Sequence, residues 1–165
     1  MNPCSLLLVT SLGLASVAIT AQGAEPVTSE SRDAAAAYVG TTNFTVGRIG
    51  RDCLALLGRP ESPQEFVQAW QGRNAKYYIA HQKYMLKRLD QALVEGGVPA
   101  RDAVAIAYGS AVRREGDASA ARWLQQDGKE KGCSRAVQLV DSGAMDIGPK
   151  VPIISELDAL VTWGQ

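Results

Sequence analysis

Apolar side chains recur at every third or fourth position along most of this chain, and no stretch alternates apolar with polar residues as a half-buried strand would. The pattern predicts an all-α protein, a single-domain bundle of four main helices and a short C-terminal helix, with one disulfide. The main helices are predicted to run from Ser31 to Leu57, from Ser62 to about Glu95, from Pro99 to Glu115, and from Asp117 to Val140. The short helix is predicted to begin at Ser155.

The clearest boundary signals lie at the start of the second predicted helix. In "SPQEF", Ser62 suits the N-cap, Pro63 suits the first turn, and Glu65 is placed to accept a hydrogen bond from the Ser62 amide. The preceding "GRP", residues 58–60, predicts the stop of the first helix. Glycine adopts a left-handed conformation readily, and the residue before proline avoids the helical region.

The third predicted helix has small or apolar residues nearly all the way round, from Ala103 to Val112. A helix without a polar face is usually buried on every side. We therefore expect this helix in the middle of the bundle. The fourth predicted helix is expected to continue through Cys133 to Val140, and the alternative is a helix divided at Gly128 or Gly132.

The first 23 residues contain no Lys, Arg, Asp or Glu and are dominated by the apolar stretch "SLLLVTSLGLASVAIT". A short apolar stretch that ends in small residues is typical of a cleaved secretory signal, although "MNPC" lacks the usual basic residue. The stretch is shorter than the ~20 apolar residues of a membrane-spanning helix. We predict a signal peptide over 1–23, a mature helical domain over 24–165, and a periplasmic or extracellular location.

Two cysteines, Cys53 and Cys133, remain after the predicted cleavage. In an exported protein an even pair of cysteines indicates a disulfide, and the alternative is two free thiols. We predict that the two form one disulfide.

The composition limits the kinds of functional site that the chain can form. The chain has 17 basic and 17 acidic residues, whereas a general nucleic-acid-binding domain carries a basic excess. One histidine and no Cys-x-x-Cys pair do not match a His-rich metal site, a zinc ribbon or a c-type haem attachment. We predict no metal and no cofactor, and the residues favour binding over catalysis. A carboxylate pair acting on a glycoside stays open, with Asp141 and Asp146 or Glu115 and Asp117 as candidates.

Residues 70–85, "WQGRNAKYYIAHQKYM", hold the only histidine of the chain among three tyrosines and a tryptophan. On a helix, Trp70, Tyr77, His81 and Tyr84 fall on one face. Such a stripe is usually core, with the imidazole bonded to a hydroxyl or an amide. The alternative is a ligand pocket, or a site where His81 acts as a general base. The candidate pocket residues are Trp70, Asn74, Tyr77, His81 and Tyr84.

The opposite face of the same helix is basic and is formed by Arg73, Lys76, Lys83 and Lys87. Four cations on one surface are suited to an anionic partner, such as lipid head groups, an acidic polysaccharide or an acidic protein patch. The alternative is a solvated face that keeps the protein soluble.

Three hypotheses for the function follow. The first is an exported, non-enzymatic helical module that binds a protein or a cell-envelope component through the basic face or the C-terminal tail. The second is a small-ligand carrier or sensor with a pocket near His81. The third is an envelope hydrolase with a carboxylate site. The apolar residues of the tail are Ile153, Ile154, Leu157, Leu160 and Trp163.

Overall fold

The computed structural model describes residues 28–125 and 128–163, and within these ranges it contains five α-helices and no strands. The prediction of a single all-α domain is confirmed. The predicted signal peptide, residues 1–23, lies outside the described residues. The helices are α1 (Glu30–Cys53), α2 (Pro63–Arg73), α3 (Ala75–Leu124), α4 (Lys129–Asp141) and α5 (Ile154–Trp163).

Helix α3 is a hairpin of two arms. Gly97 has a φ of 70° and a ψ of −164°, a conformation that glycine adopts without the steric cost of a Cβ, and Pro99 follows it. The chain reverses there, so that His81 before the turn contacts Tyr108 after it. Residues 75–96 are called the first arm and residues 98–124 the second arm.

Helix α1 is the centre of the bundle and contacts each of the other four helices. Small residues let the neighbours come close to it. A Cβ at Gly40, for example, would clash with the Tyr108 hydroxyl of the second arm. On another side of the core, Leu157 and Leu160 of α5 are buried. The C-terminal tail is therefore part of the packed structure.

The expectation that residues 103–112 occupy the middle of the bundle is wrong. This part of the second arm lies at the edge, and Ile106 is 68% exposed. The turn at Gly97 places the arm against α1 and the first arm, which leaves its remaining surface uncovered. Small residues all round a helix permit close packing on any side, but they do not determine how many sides are occupied.

The predicted start of the second helix is confirmed. The Glu65 amide donates to the Ser62 hydroxyl at 3.2 Å, and the Ser62 amide donates to the Glu65 carboxylate at 2.8 Å. The predicted continuation to Glu95 is interrupted, because Asn74 has a φ of −107° and a ψ of 23° and separates α2 from α3.

The predicted gap between the third and fourth helices is also wrong, because the second arm continues through Asp117 to Leu124. The predicted continuous fourth helix is divided: the last main helix begins at Lys129, after Gly128 with a φ of 89°, a conformation that a helix cannot continue through. The first helix was predicted to run to Leu57 but ends earlier, at Cys53, and residues 54–58 form turns that reach Gly58.

The cysteines join the end of α1 to α4. The Cys53 and Cys133 sulfur atoms are 2.08 Å apart, the distance of a disulfide bond, and both side chains are fully buried. The predicted pairing agrees with the structure.

Candidate functional site

A wide, open groove of about 1040 Å³ runs beside α1. Its floor is α1 from Ala34 to Thr45, one end is formed by the second arm from Glu115 to Trp123, and the far wall is the segment 143–153 that links α4 to α5. The floor carries Ala34, Ala37 and Tyr38 together with the three threonines Thr41, Thr42 and Thr45, and the far wall is mainly apolar.

The far wall is an irregular segment that the junction of α2 and α3 holds in place. Asn74 is buried at this junction, and its Oδ1 accepts the Ile147 amide at 2.6 Å while its Nδ2 donates to the Asp146 carboxylate at 3.2 Å. The Trp70 indole donates to the Met145 carbonyl at 3.0 Å. The Arg73 guanidinium donates to Asp146 at 2.8 Å. One side of the groove is thus fixed by hydrogen bonds from this junction, and Arg73 contributes two of them to Asp146.

The groove has a positive edge. Within residues 28–125 and 128–163, no carboxylate lies at ion-pair distance from Arg122 or Lys150, two cations that line the groove. Two acidic residues that line it are already paired, Glu115 with Arg114 at 3.1 Å and Asp146 with Arg73. An anionic group would therefore meet net positive charge here.

Two aromatic residues also line the groove, Tyr38 on α1 and Trp123 on the second arm. Trp123 is 36% exposed, and burial raises the pKa of Tyr38, which stays a neutral phenol. Together with Arg122, they are the three residue types that most often carry the energy of protein–protein contacts.

The five residues of the predicted ligand pocket point to four different elements. Trp70 and Asn74 bond the segment 143–153, as described above. The Tyr77 hydroxyl donates to Asp158 of α5 at 3.0 Å, and the Tyr84 hydroxyl donates to Asp33 of α1 at 2.6 Å. His81 contacts the second arm. The face that these residues share is the one that attaches α2 and the first arm to the rest of the bundle.

His81 is an internal hydrogen-bonding group. The Tyr108 hydroxyl donates to the Ala36 carbonyl at 3.0 Å, so its oxygen accepts the bond from the His81 Nε2–H at 2.5 Å. The other ring nitrogen, Nδ1, is buried without a hydrogen-bond partner in the described structure. Burial lowers the pKa of His81 from 6.5 to about 4, so the ring is neutral at physiological pH.

The predicted anionic-partner face is largely occupied by the protein itself. Arg73 pairs with Asp146, and Lys76 pairs with Asp158 at 3.3 Å. The Lys87 ammonium lies over the Trp163 ring, 4.5 Å from its centroid. Lys83 is exposed on the first arm. Three of the four cations thus anchor the segment 143–153 and α5 to the helix that carries them.

Each carboxylate considered for glycoside chemistry is paired with an arginine. Asp141 bonds Arg59 at 2.8 Å, Asp117 bonds Arg48, and Asp146 and Glu115 have the partners given above. A cavity of about 170 Å³ lies between Tyr84 and Tyr108, below the roughly 300 Å³ at which small-molecule sites begin.

Comparisons with protein-family models, with curated proteins and with solved structures find no match for this chain. In the parts of the chain that the structure describes, no three His, Cys, Asp or Glu side chains gather as a metal site. None of the described helices combines the length and the apolar character needed to cross a membrane.

Sequence reasoning missed the groove because its walls come from three separate parts of the chain. One sequence feature is related to the groove. The stretch "SGAMDIGPKVP", residues 142–152, contains glycines and prolines, which interrupt helices. Such residues are typical of a loop, but they could not show that the loop faces α1.

Proposed function

We propose that this chain is an exported helical module that binds a partner protein, and that the groove beside α1 receives an acidic, partly apolar segment of that partner. The observation that carries the proposal is the meeting of Tyr38, Arg122 and Trp123 in one open groove. Export is inferred from the apolar segment 1–23.

The chemistry of the groove favours a protein segment. Its volume is at the upper end of small-molecule sites and it is open, whereas small ligands are usually enclosed. The apolar residues of its floor and far wall would cover side chains of the partner, and the cations at its edge would pair with carboxylates. The far wall is fixed by the bonds from Trp70, Arg73 and Asn74, so the groove is formed before binding, which reduces the entropy lost on association.

A binding role also agrees with the state of the reactive side chains. The only histidine is partly buried against the second arm and neutral, and the candidate carboxylates are paired with arginines. None of these groups is arranged as a nucleophile with its base.

Selection of random peptides displayed on phage against the processed protein tests the proposal. We expect the selected peptides to combine Asp or Glu with apolar residues. Trp123→Ala and Arg122→Glu should each weaken their binding by roughly tenfold to a hundredfold, the effect of removing a contact worth about 1.4–3 kcal/mol. Isothermal titration calorimetry measures the dissociation constants.

Arg101→Glu is the matched control, because Arg101 is also an exposed arginine on the second arm but lies near the turn at Gly97, away from the groove. It should leave binding unchanged. If binding survives Trp123→Ala and Arg122→Glu, or if only anionic glycans or lipids bind, the protein-segment proposal is wrong.

A further inference from the structure

The first arm of α3 carries an apolar stripe that no part of the described chain covers. Ile79, Leu86 and Leu93 are 49%, 63% and 39% exposed. They are spaced seven residues apart, so they fall on one line along the helix. Leu89 lies beside this line and is half-buried. Over 14 residues the line is about 21 Å long, enough to pack against one helix of similar length.

Charged residues lie beside this stripe in a self-complementary order. Lys83 follows Ile79 by four residues, and Asp90 follows Leu86 by four, so both lie on the same side of the stripe. If two copies pack these stripes against each other in antiparallel orientation, Lys83 of each copy lies opposite Asp90 of the other. In parallel orientation, Lys83 and Asp90 of one copy would face the opposite side of the partner's stripe, so no Lys83–Asp90 pair would form.

We propose that a second copy of this chain covers the stripe, in an antiparallel dimer with its two-fold axis close to Leu86 and Leu89. Leucine and isoleucine of one copy pack between those of the other, and the two Lys83–Asp90 pairs set the orientation. The groove beside α1 is formed by other elements, so the dimer presents two grooves. The proposal does not depend on what the groove binds.

The interface is small, because one stripe from each copy forms its apolar centre. Interfaces of this size support reversible association. We therefore expect a monomer–dimer equilibrium that shifts with protein concentration, measured by sedimentation velocity. Leu86→Glu places a charge in the stripe of each copy and should weaken the dimer by about tenfold or more. Gln68→Glu on α2 is the control for an exposed added charge away from the stripe, and it should change nothing.

Charge exchange tests the orientation. Lys83→Glu or Asp90→Lys alone creates two like-charge pairs in the antiparallel dimer and should weaken it. The double variant K83E/D90K restores both pairs and should restore the dimer. An equimolar mixture of the two single variants should form the mixed dimer in preference to either self-dimer. These positions are exposed, so circular dichroism should show unchanged helix content in each variant.

Crosslinking supplies an independent readout. The native cysteines are paired, so a new cysteine is the reactive thiol of the processed chain. With a short bismaleimide, a mixture of the Lys83→Cys and Asp90→Cys proteins should give a crosslinked dimer, while either protein alone should give little. A monomer at all concentrations, a dimer insensitive to Leu86→Glu, or efficient crosslinking of Lys83→Cys with itself would overturn the proposal.

Discussion

Replacing Cys53 and Cys133 together with alanine should lower the free energy of unfolding by roughly 4.5 kcal/mol. The disulfide spans 80 residues and closes a loop that includes α2 and both arms of α3. In the unfolded chain this loop restricts the conformations available, and the restriction is lost when the cysteines are removed. Urea titration at pH 7, followed by circular dichroism, measures the change.

Removing the disulfide should also loosen a contact in the folded protein, in addition to its effect on the unfolded chain. Both cysteines are fully buried where the end of α1 meets α4, and α1 is the helix that all the others contact. Loosening this contact affects the segment 143–153, because α4 leads directly into it. We expect the double alanine variant to bind groove peptides more weakly near its unfolding midpoint.

Two measurements test this prediction, one of the cysteine pairing and one of the loss of stability. The protein is treated with an alkylating reagent, with and without prior reduction, and its intact mass is measured. The mass should show two alkylated cysteines only after reduction. Alkylation of both thiols without reductant would contradict the pairing. A loss of stability below about 1 kcal/mol in the double variant would contradict the role assigned to the closed loop.

Lowering the pH from 7 to about 4.5 should cost the protein most of about 3 kcal/mol of stability through His81 alone. Burial lowers the pKa of His81 to about 4 in the folded protein, against 6.5 in the unfolded chain. Between these two values the unfolded chain binds the proton and the folded protein does not. The stability that the neutral His81 contributes is therefore fully present above pH 6.5 and is lost as the pH falls toward 4. At 1.36 kcal/mol per pH unit the difference amounts to about 3 kcal/mol.

The surroundings of the His81 ring explain why its pKa is lowered. Its Nε2–H already donates to Tyr108. If Nδ1 were protonated as well, the new N–H would have no acceptor in the described structure. Charging the ring would leave a buried donor and a buried charge unpaired. Burial also raises the pKa of Tyr108, so this tyrosine stays neutral and cannot compensate.

His81→Gln is the matched variant, because its side-chain amide can donate to Tyr108 but does not titrate. We expect its stability to be nearly independent of pH between 6.5 and 5. Asp52 and Asp158 also have lowered pKa values, but they lose their contributions only below the ordinary carboxylate range near 4. Equal pH slopes for wild type and His81→Gln in urea titrations would contradict this account.

Features determined by neighbouring residues were predictable from the sequence. The Ser62–Glu65 capping box depends on residues three positions apart, and the predicted helix end near Glu95 depends on the local backbone preference of the glycines that follow. The cysteine pairing was predictable because only two cysteines follow the predicted signal peptide. The periodic pattern was sufficient for the all-α class.

Features determined by distant residues were not predictable. The break at Asn74 is stabilised by bonds to Asp146 and Ile147, 72 and 73 residues further along the chain. The basic face looked open because its acidic partners come from the segment 143–153 and from α5. Helix α1 and residues 103–112 are both rich in small residues, so composition could not show which of the two is central.

Photocrosslinking in the native compartment tests the central claim most directly. A photoreactive amino acid replaces Ser119, which lines the groove, and in a separate strain it replaces Lys76 on the basic face. We predict a crosslinked partner protein from position 119 that disappears when Arg122→Glu is added, and no partner other than a second copy of this chain from position 76. A partner captured at position 76 but not at position 119 would contradict the groove as the binding site.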